Sequence, residues 1–221
     1  MLYIIATPIG NLGDITVRAL ETLEKVEYLL CEDTRNTGLM LVNLNIANKP
    51  KLISFYDEVE EQKIPEVLKL LDENREVGLV TDAGTPIVSD PGYKLVKKCQ
   101  KLGYKITSIP GPSAVINALV LSGLPSGRFS FLGFLPKKAG DRKKVLEKYK
   151  EFDGSKIVYE SPFRVVKLIE EIKNIYGDDT EVSICREMTK KFEEIIVGKV
   201  DDVFEKISNK NIKGEVVVIF G

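Results

Sequence analysis

Histidine and tryptophan are both absent from this 221-residue chain, and cysteine occurs only three times. Without histidine there can be no Ser-His-Asp or Cys-His mechanism, no imidazole base and no histidine-bearing zinc site. Any chemistry must come from carboxylates, lysine, tyrosine, thiols or positioning alone. Cys31, Cys99 and Cys185 are isolated, odd in number and without metal-ligand spacing, which predicts no bound metal and a reducing, cytoplasmic setting. No apolar run approaches the ~18 residues of a membrane span, so no membrane segment is expected. The apolar start from Met1 to Ala6 lacks a basic leader and breaks at Pro8, so it reads as a first strand and not as a signal peptide. Repeats and low-complexity tracts are missing too, and the length suits two domains of about 100 residues each.

Charge is close to balanced, with 32 Lys+Arg against 33 Asp+Glu and a net charge of −1, but it is unevenly spread. Residues 1–122 hold 13 basic and 16 acidic side chains, leaving 19 and 17 for residues 123–221. Most of the basic excess falls in residues 137–150, where Lys137, Lys138, Arg142, Lys143, Lys144, Lys148 and Lys150 meet only Asp141 and Glu147. Such a run is either a solvated helix face or a contact for a phosphate backbone.

Apolar periodicity gives five strand-loop-helix units in the first half. Strands are expected over residues 2–6, 27–31, 51–56, 77–81 and 104–109, and helices over 15–26, 38–44, 60–75, 93–101 and 114–121. Strict alternation of this kind predicts an α/β domain, with a mostly parallel sheet and helices on both faces. The glycines after the first strand do not match G-x-G-x-x-G, so a Rossmann fingerprint is not supported. The turn-rich Ser122-Gly123-Leu124-Pro125-Ser126-Gly127 marks the expected boundary between domains 1–122 and 123–221. Beyond it, strands over 129–134, 156–160, 181–186, 194–198 and 215–220, and helices over 137–152, 164–176 and 200–207, lack that alternation and predict an α+β domain on a mixed sheet.

The chain centres on residues 77–92, where an apolar strand gives way to small, polar and φ-restricted residues. Gly84 and Gly92 permit positive φ, Pro86 and Pro91 fix their own, and Asp90 is placed to cap the next helix. Ligands of open parallel sheets lie beyond the carboxyl ends of the strands. The polar turns after Ala6, Cys31, Thr81 and Ile109 all lie at such ends and are expected to converge. In the second of them, Glu32-Asp33-Thr34-Arg35 reads as a polar site or as a helix cap.

Several blocks, in this order, cover nearly the whole chain: Ala6-Thr7-Pro8-Ile9-Gly10-Asn11-Leu12-Gly13-Asp14, Glu32-Asp33-Thr34-Arg35, Thr81-Asp82-Ala83-Gly84-Thr85-Pro86, Ile109-Pro110-Gly111-Pro112-Ser113-Ala114, Ser122-Gly123-Leu124-Pro125, Gly133-Phe134-Leu135-Pro136, Tyr159-Glu160-Ser161-Pro162, Arg186-Glu187-Met188-Thr189-Lys190 and Gly214-Glu215. Together they resemble the ribosomal RNA small-subunit methyltransferase I family, the branch of the tetrapyrrole methylase superfamily that works on RNA. The resemblance implies a two-domain tetrapyrrole methylase-like fold that binds S-adenosyl-L-methionine between an N-terminal and a C-terminal domain. It implies a homodimer, and 2′-O-methylation of a decoding-region cytidine in the 16S rRNA of the assembled small ribosomal subunit. Rival readings are a methylase of corrin or siroheme precursors, a diphthamide-type methylase, or a non-catalytic RNA-binding module.

Carried over residue by residue, the resemblance implies cofactor contacts at Pro8, Ile9, Gly10, Asp82, Ala83, Gly84, Thr85, Ser113 and Ala114, with Tyr159, Glu187 and Gly214 from the second domain. Glu32, Asp33, Thr34 and Arg35 fall on the substrate side, with Ser161 and Arg164. Lys143, Lys144 and Arg186 are the expected RNA contacts. Phe163 stands where relatives commonly carry histidine, and the chain ends at Gly221, where many relatives continue. With no imidazole available, Asp33 or Glu32 is the candidate base for a hydroxyl proton, and Arg35 the candidate holder of an adjacent phosphate.

Overall fold

Strand β1 (Leu2–Ile5) is buried at every position because its alternate side chains enter two different cores. In the computed structural model, which describes residues 1–221, it belongs to a five-stranded parallel sheet with β2 (Tyr28–Cys31), β3 (Lys51–Ser54), β4 (Val77–Leu79) and β5 (Ile106–Ile109). The strand order is β3-β2-β4-β1-β5. Tyr3, Ile5, Leu29 and Cys31 point to one face, where they meet α1 (Val17–Lys25) and α2 (Thr34–Asn43) through Ala19, Leu23 and Leu41. Leu2, Ile4, Leu30 and Ile53 point to the other, against α3 (Glu60–Asp72) and α4 (Tyr93–Leu102) through Val67, Leu71, Leu95 and Cys99. The chain runs outward from β1 to β3 and then back across the sheet. Right-handed crossovers therefore put the first pair of helices on one face and the second pair on the other.

Capping fixes where these helices start. Thr16 accepts from the Ala19 amide at 3.2 Å, and Asp33 accepts from the Arg35 amide at 2.8 Å, so α2 begins at Thr34 and not at Gly38 as expected. Asp90 does not cap α4: the N-cap position is Gly92, with φ 122°, and its side chain offers no acceptor. The acceptor comes from another helix. Glu60 Oε1, in a residue only 3% exposed, takes the amides of Lys94 at 3.0 Å and Leu95 at 3.1 Å. A carboxylate on those orphan donors satisfies them and meets the positive end of the helix dipole.

The chain divides into two compact units, Met1–Ser113 and Ala114–Gly221. The second begins at α5 (Ala114–Ser122), one helix before the expected boundary at residue 122. The reason is packing: Val115, Ala118 and Leu119 are buried, and the helix lies on β8 (Glu181–Arg186), β9 (Glu194–Lys199) and β10 (Val216–Phe220). The second sheet also contains β6 (Phe129–Phe134) and β7 (Ser155–Glu160), in the order β6-β7-β10-β8-β9. Only β6 and β7 pair in parallel, so this is the mixed sheet the sequence predicts. Its other face carries α6 (Ala139–Lys148), α7 (Val165–Tyr176) and α8 (Val200–Ser208), packed through Leu146, Leu168, Ile172, Val203 and Ile207.

Glu60→Ala strips the acceptor from two amide donors beside the core, and is expected to cost about 2 kcal/mol of folding free energy. Urea denaturation of the variant and the parent checks this.

Candidate functional site

Three loops meet at the carboxyl ends of β1, β4 and β5. Thr7, fully buried, exchanges backbone hydrogen bonds with Gly84 at 2.8 and 3.1 Å, and its hydroxyl donates to the Thr81 carbonyl at 3.1 Å. Thr85 donates to the Pro112 carbonyl at 2.9 Å. A Cβ on Gly84, where φ is 89°, would press on Ile9 at 3.3 Å and touch the Pro112 carbonyl at 3.8 Å, so the three loops lie close around this residue. Pro8, Ile9, Gly10, Asp82, Ala83, Gly84, Thr85 and Ser113 are thereby gathered on one rim. Ala114 opens the second unit.

The turn after β2 reaches the same rim. Asn36 donates to Asp82 Oδ2 at 2.8 Å, and Glu32 Oε1 is hydrogen-bonded to the Thr81 hydroxyl. Asp33 and Arg35 are tied to each other instead. The guanidinium meets the carboxylate at 3.0 and 2.6 Å while the same carboxylate caps α2. The side-chain hydrogen bond from Arg35, then the backbone one, hold the Asp33 carboxyl far below the usual range. Such a group takes up a proton poorly near neutral pH, and geometry therefore favours the cap over the base. Thr34 opens the first turn of α2 beside them.

Two rim groups were not among the expected site residues: Thr81, and Asp90 in any role but a cap. The Asp90 carboxyl is pushed up to about 6, first by burial and then by the charges of Glu32, Asp57 and Asp82, against a hydrogen bond from Thr81. The sequence signal was available. Pro91 and Gly92 separate Asp90 from the helix it was expected to cap, which leaves a carboxylate on a stiff loop without a structural task. The loop is also held in costly backbone. Ile87 has φ 77° and Ser89 φ 69°, and positive φ is a true outlier for a β-branched residue. The Ile87 side chain packs into the core below α3 and α4, which offsets that strain.

In the second unit, Arg186, Glu187 and Gly214 line one hollow of about 470 Å³ together with Phe192, Glu194 and Lys210. Gly214 has φ 86°, and a Cβ there would run into the Glu187 carboxylate. That carboxylate accepts from the Glu215 amide at 2.9 Å and from Lys190 at 3.0 Å, and is held below its ordinary range by those bonds. Arg186 is bound to Glu194 at 3.3 Å and to the Lys213 carbonyl at 3.1 Å. The other expected residues are at the end of β7. Tyr159 packs against Phe131 and Phe134, Ser161 accepts from the Phe163 amide, and Arg164 lies on the buried Glu160 at 2.6 Å. In the basic run, Lys143 and Lys144 are exposed. Arg142 is not: at 4% exposure it turns inward onto Glu171 and the carbonyls of Pro136 and Lys137, so it adds nothing to a basic face.

A family model described as Tetrapyrrole (Corrin/Porphyrin) Methylases matches residues 1–203, and the chain belongs to that family. Solved structures agree on the fold. Uroporphyrin III C-methyltransferase from Thermus thermophilus is 19% identical, with a TM-score of 0.67 over 100% of this chain and 96% of that one. A cobalt precorrin-4 methyltransferase is 20% identical, with a TM-score of 0.67 over 100% and 94%. Within the family, the chain falls in the ribosomal RNA small subunit methyltransferase I branch. The protein of that name from Hydrogenobaculum sp. is 44% identical over 99% of this chain and 94% of its own length. That of Thermotoga maritima is 43% identical over 99% and 96%, and that of Escherichia coli O157:H7 42% identical over 99% and 76%.

Because folding raises the Asp90 pKa from 3.8 to about 6, its contribution to stability is present in full below pH ~4 and is lost as pH rises through ~6. Asp90→Asn is expected to abolish this dependence and to make the protein more stable than the parent at neutral pH, by on the order of 2 kcal/mol. Thermal melts between pH 4 and 8 read it out.

Proposed function

We propose that this chain is an S-adenosylmethionine-dependent methyltransferase that methylates the ribose 2′-oxygen of a decoding-region cytidine in the 16S rRNA of the small ribosomal subunit. It works in the cytoplasm as a homodimer. The observation that carries the substrate class is the identity, over nearly the whole chain, to relatives named ribosomal RNA small subunit methyltransferase I. The tetrapyrrole methylases of known structure share only the fold.

The rim suits this cofactor. S-adenosylmethionine carries an ammonium, ribose hydroxyls and a flat base, and supplies a methyl group activated on a sulfonium. Asp82 offers a carboxylate that is exposed and already oriented by Asn36, the natural partner for hydroxyls or an ammonium. Gly10 leaves exposed backbone where a ligand can come close, and the clasp of Thr7 on the buried Gly84 ties the loop that carries it to the loop after β4. Pro8, Ile9, Ala83, Thr85 and Ser113 complete the surface, and Tyr159, Glu187 and Gly214 are further cofactor residues of the second unit. The protein's main contribution is placement, worth about 7–11 kcal/mol when the reacting atoms are held ~3–3.5 Å apart. Arg35, 87% exposed at its side chain, keeps nitrogen donors for a backbone phosphate while it orients Asp33.

Mass mapping of ribose methylation in 16S rRNA, from cells with and without this protein, tests the reading. One cytidine in the decoding region should lose its 2′-O-methyl group when the protein is missing. An unchanged map, with methyl transfer to a tetrapyrrole precursor instead, would overturn it. The RNA itself is expected to meet Lys143 and Lys144, which project from α6 with only the exposed Glu147 and Asp141 as partners. Reversing both charges should weaken RNA binding and flatten the slope of log K against log salt by roughly two. Filter binding across a salt series measures that slope, and an unaltered one would mark the helix as a solvated face.

A further inference from the structure

Two phenylalanines stand in water where the parallel pair β6 and β7 ends: Phe163 is 92% exposed and Phe134 63%. Neither sits on loose chain. Phe131 and Phe134 are three residues apart and would face opposite ways in a regular strand. The register against β7 shifts between them, with Gly133 at φ 64°, so that Phe134 falls opposite Tyr159. Both rings then rest on Tyr159, with centroids 4.9 and 5.4 Å from its own. Phe163 is carried by the turn after β7, which is held by the buried Glu160. Glu160 Oε1 accepts from the Ser161 amide at 2.6 Å and from Arg164 Nε at 2.7 Å, and the Ser161 carbonyl accepts from the Arg164 amide at 2.9 Å. Arg164 Nη2 also reaches the Leu135 carbonyl at 3.4 Å, so the residue after Phe163 is tied to the residue after Phe134.

Arg164 is thereby a strut and not a free cation. The free cations are Lys137 and Lys138, exposed, without an ion pair and three and four residues beyond Phe134. The inward-turned Arg142 fixes the Lys137 carbonyl at 3.1 Å, which keeps this segment beside the rings. Aromatic rings propped in water contribute little to the fold. Set beside unpaired ammonium groups, they match unpaired nucleotides, whose bases stack on an aromatic face while their phosphates meet the cations. We propose that Phe163 and Phe134 form a stacking platform for unpaired bases of the RNA substrate, with Lys137 and Lys138 on the adjoining phosphates. This deepens the RNA reading above and rests on it for the class of partner. The two rings select single-stranded over paired RNA and take no part in the methyl transfer itself.

The chain has no tryptophan, so Phe163→Trp supplies a single emitter at the platform. Titration with a short single-stranded oligoribonucleotide should quench that emission, and the same strand in a duplex should quench it far less. In filter binding of the single strand, Phe163→Leu and Phe134→Leu, apolar but without a ring face, are each expected to weaken binding about tenfold, with the salt slope unchanged. Phe163→Tyr should keep the parent affinity. Lys137→Glu combined with Lys138→Glu should weaken binding too, but flatten the slope. Emission that single strands leave unchanged, or a Phe163→Leu variant that binds as the parent does, would overturn the platform. So would a Phe163→Leu variant whose sedimentation changes while its RNA affinity does not, because the ring would then be a contact between copies of this chain. None of these readouts needs turnover. If the 16S rRNA map is the same with and without the protein while the quenching persists, the proposed reaction falls and the platform stands.

Discussion

The rim at the carboxyl ends of the first sheet depends on one pair of backbone hydrogen bonds, between Thr7 and Gly84. Parallel strands cannot be joined by a tight turn, so the loops at their carboxyl ends have no reason of their own to lie against each other. A short antiparallel bridge across those loops supplies the reason. It fixes the loop after β1 against the loop after β4, and the Thr7 hydroxyl, aimed at the Thr81 carbonyl, locks the register. Thr85 extends the same tie to the loop after β5 through the Pro112 carbonyl. A rim assembled from three loops is thereby tied together by hydrogen bonds from loop to loop, the kind of pre-organisation on which a positioned site is built.

The electrostatics of the rim follow from this rigidity. Carboxylates that could swing into solvent would keep ordinary proton affinities. Here Asp90 is held near Glu32, Asp57 and Asp82, and burial first, then those charges, push its carboxyl up. Asp33 shows the opposite outcome a few residues away. Given a guanidinium and an amide of its own, it stays ionised and serves structure. Asp33 and Asp90 thus move in opposite directions because one has a cation and the other has burial and like charges around it.

Much of this was legible in the sequence, and particular residues explain what was not. Strands buried on both faces announce themselves as continuous apolar runs, so the parallel sheet and the four converging turns could be read from residues 1–109. The contact division of the fold falls one helix earlier than the turn-rich segment at Ser122 suggests. The apolar run of α5 shows that it is buried, but not which sheet buries it, and the Gly- and Pro-rich segment after Ser122 is the louder signal. Asp90 was misread for a related reason. A carboxylate just before a helix looks like its cap, whereas Glu60, 34 residues away from Lys94, takes that role in the fold. Nothing local to Glu60 distinguishes it from the acidic residues around it. Likewise, charge patterning shows Arg142 as one more cation in a basic run, and only the position of Glu171 reveals that it faces inward.

The Glu60 cap links helix α3 to the loop that runs from Thr81 to Gly92. Helix α4 begins where the rim loop ends, so its first turn is an anchor for that loop, and the anchor is held by a side chain from α3. A survey of every substitution in this chain would accordingly find residue 60 shaping a loop with which its side chain has no covalent kinship. Small changes in how α3 beds onto the sheet would reach that loop through two amides.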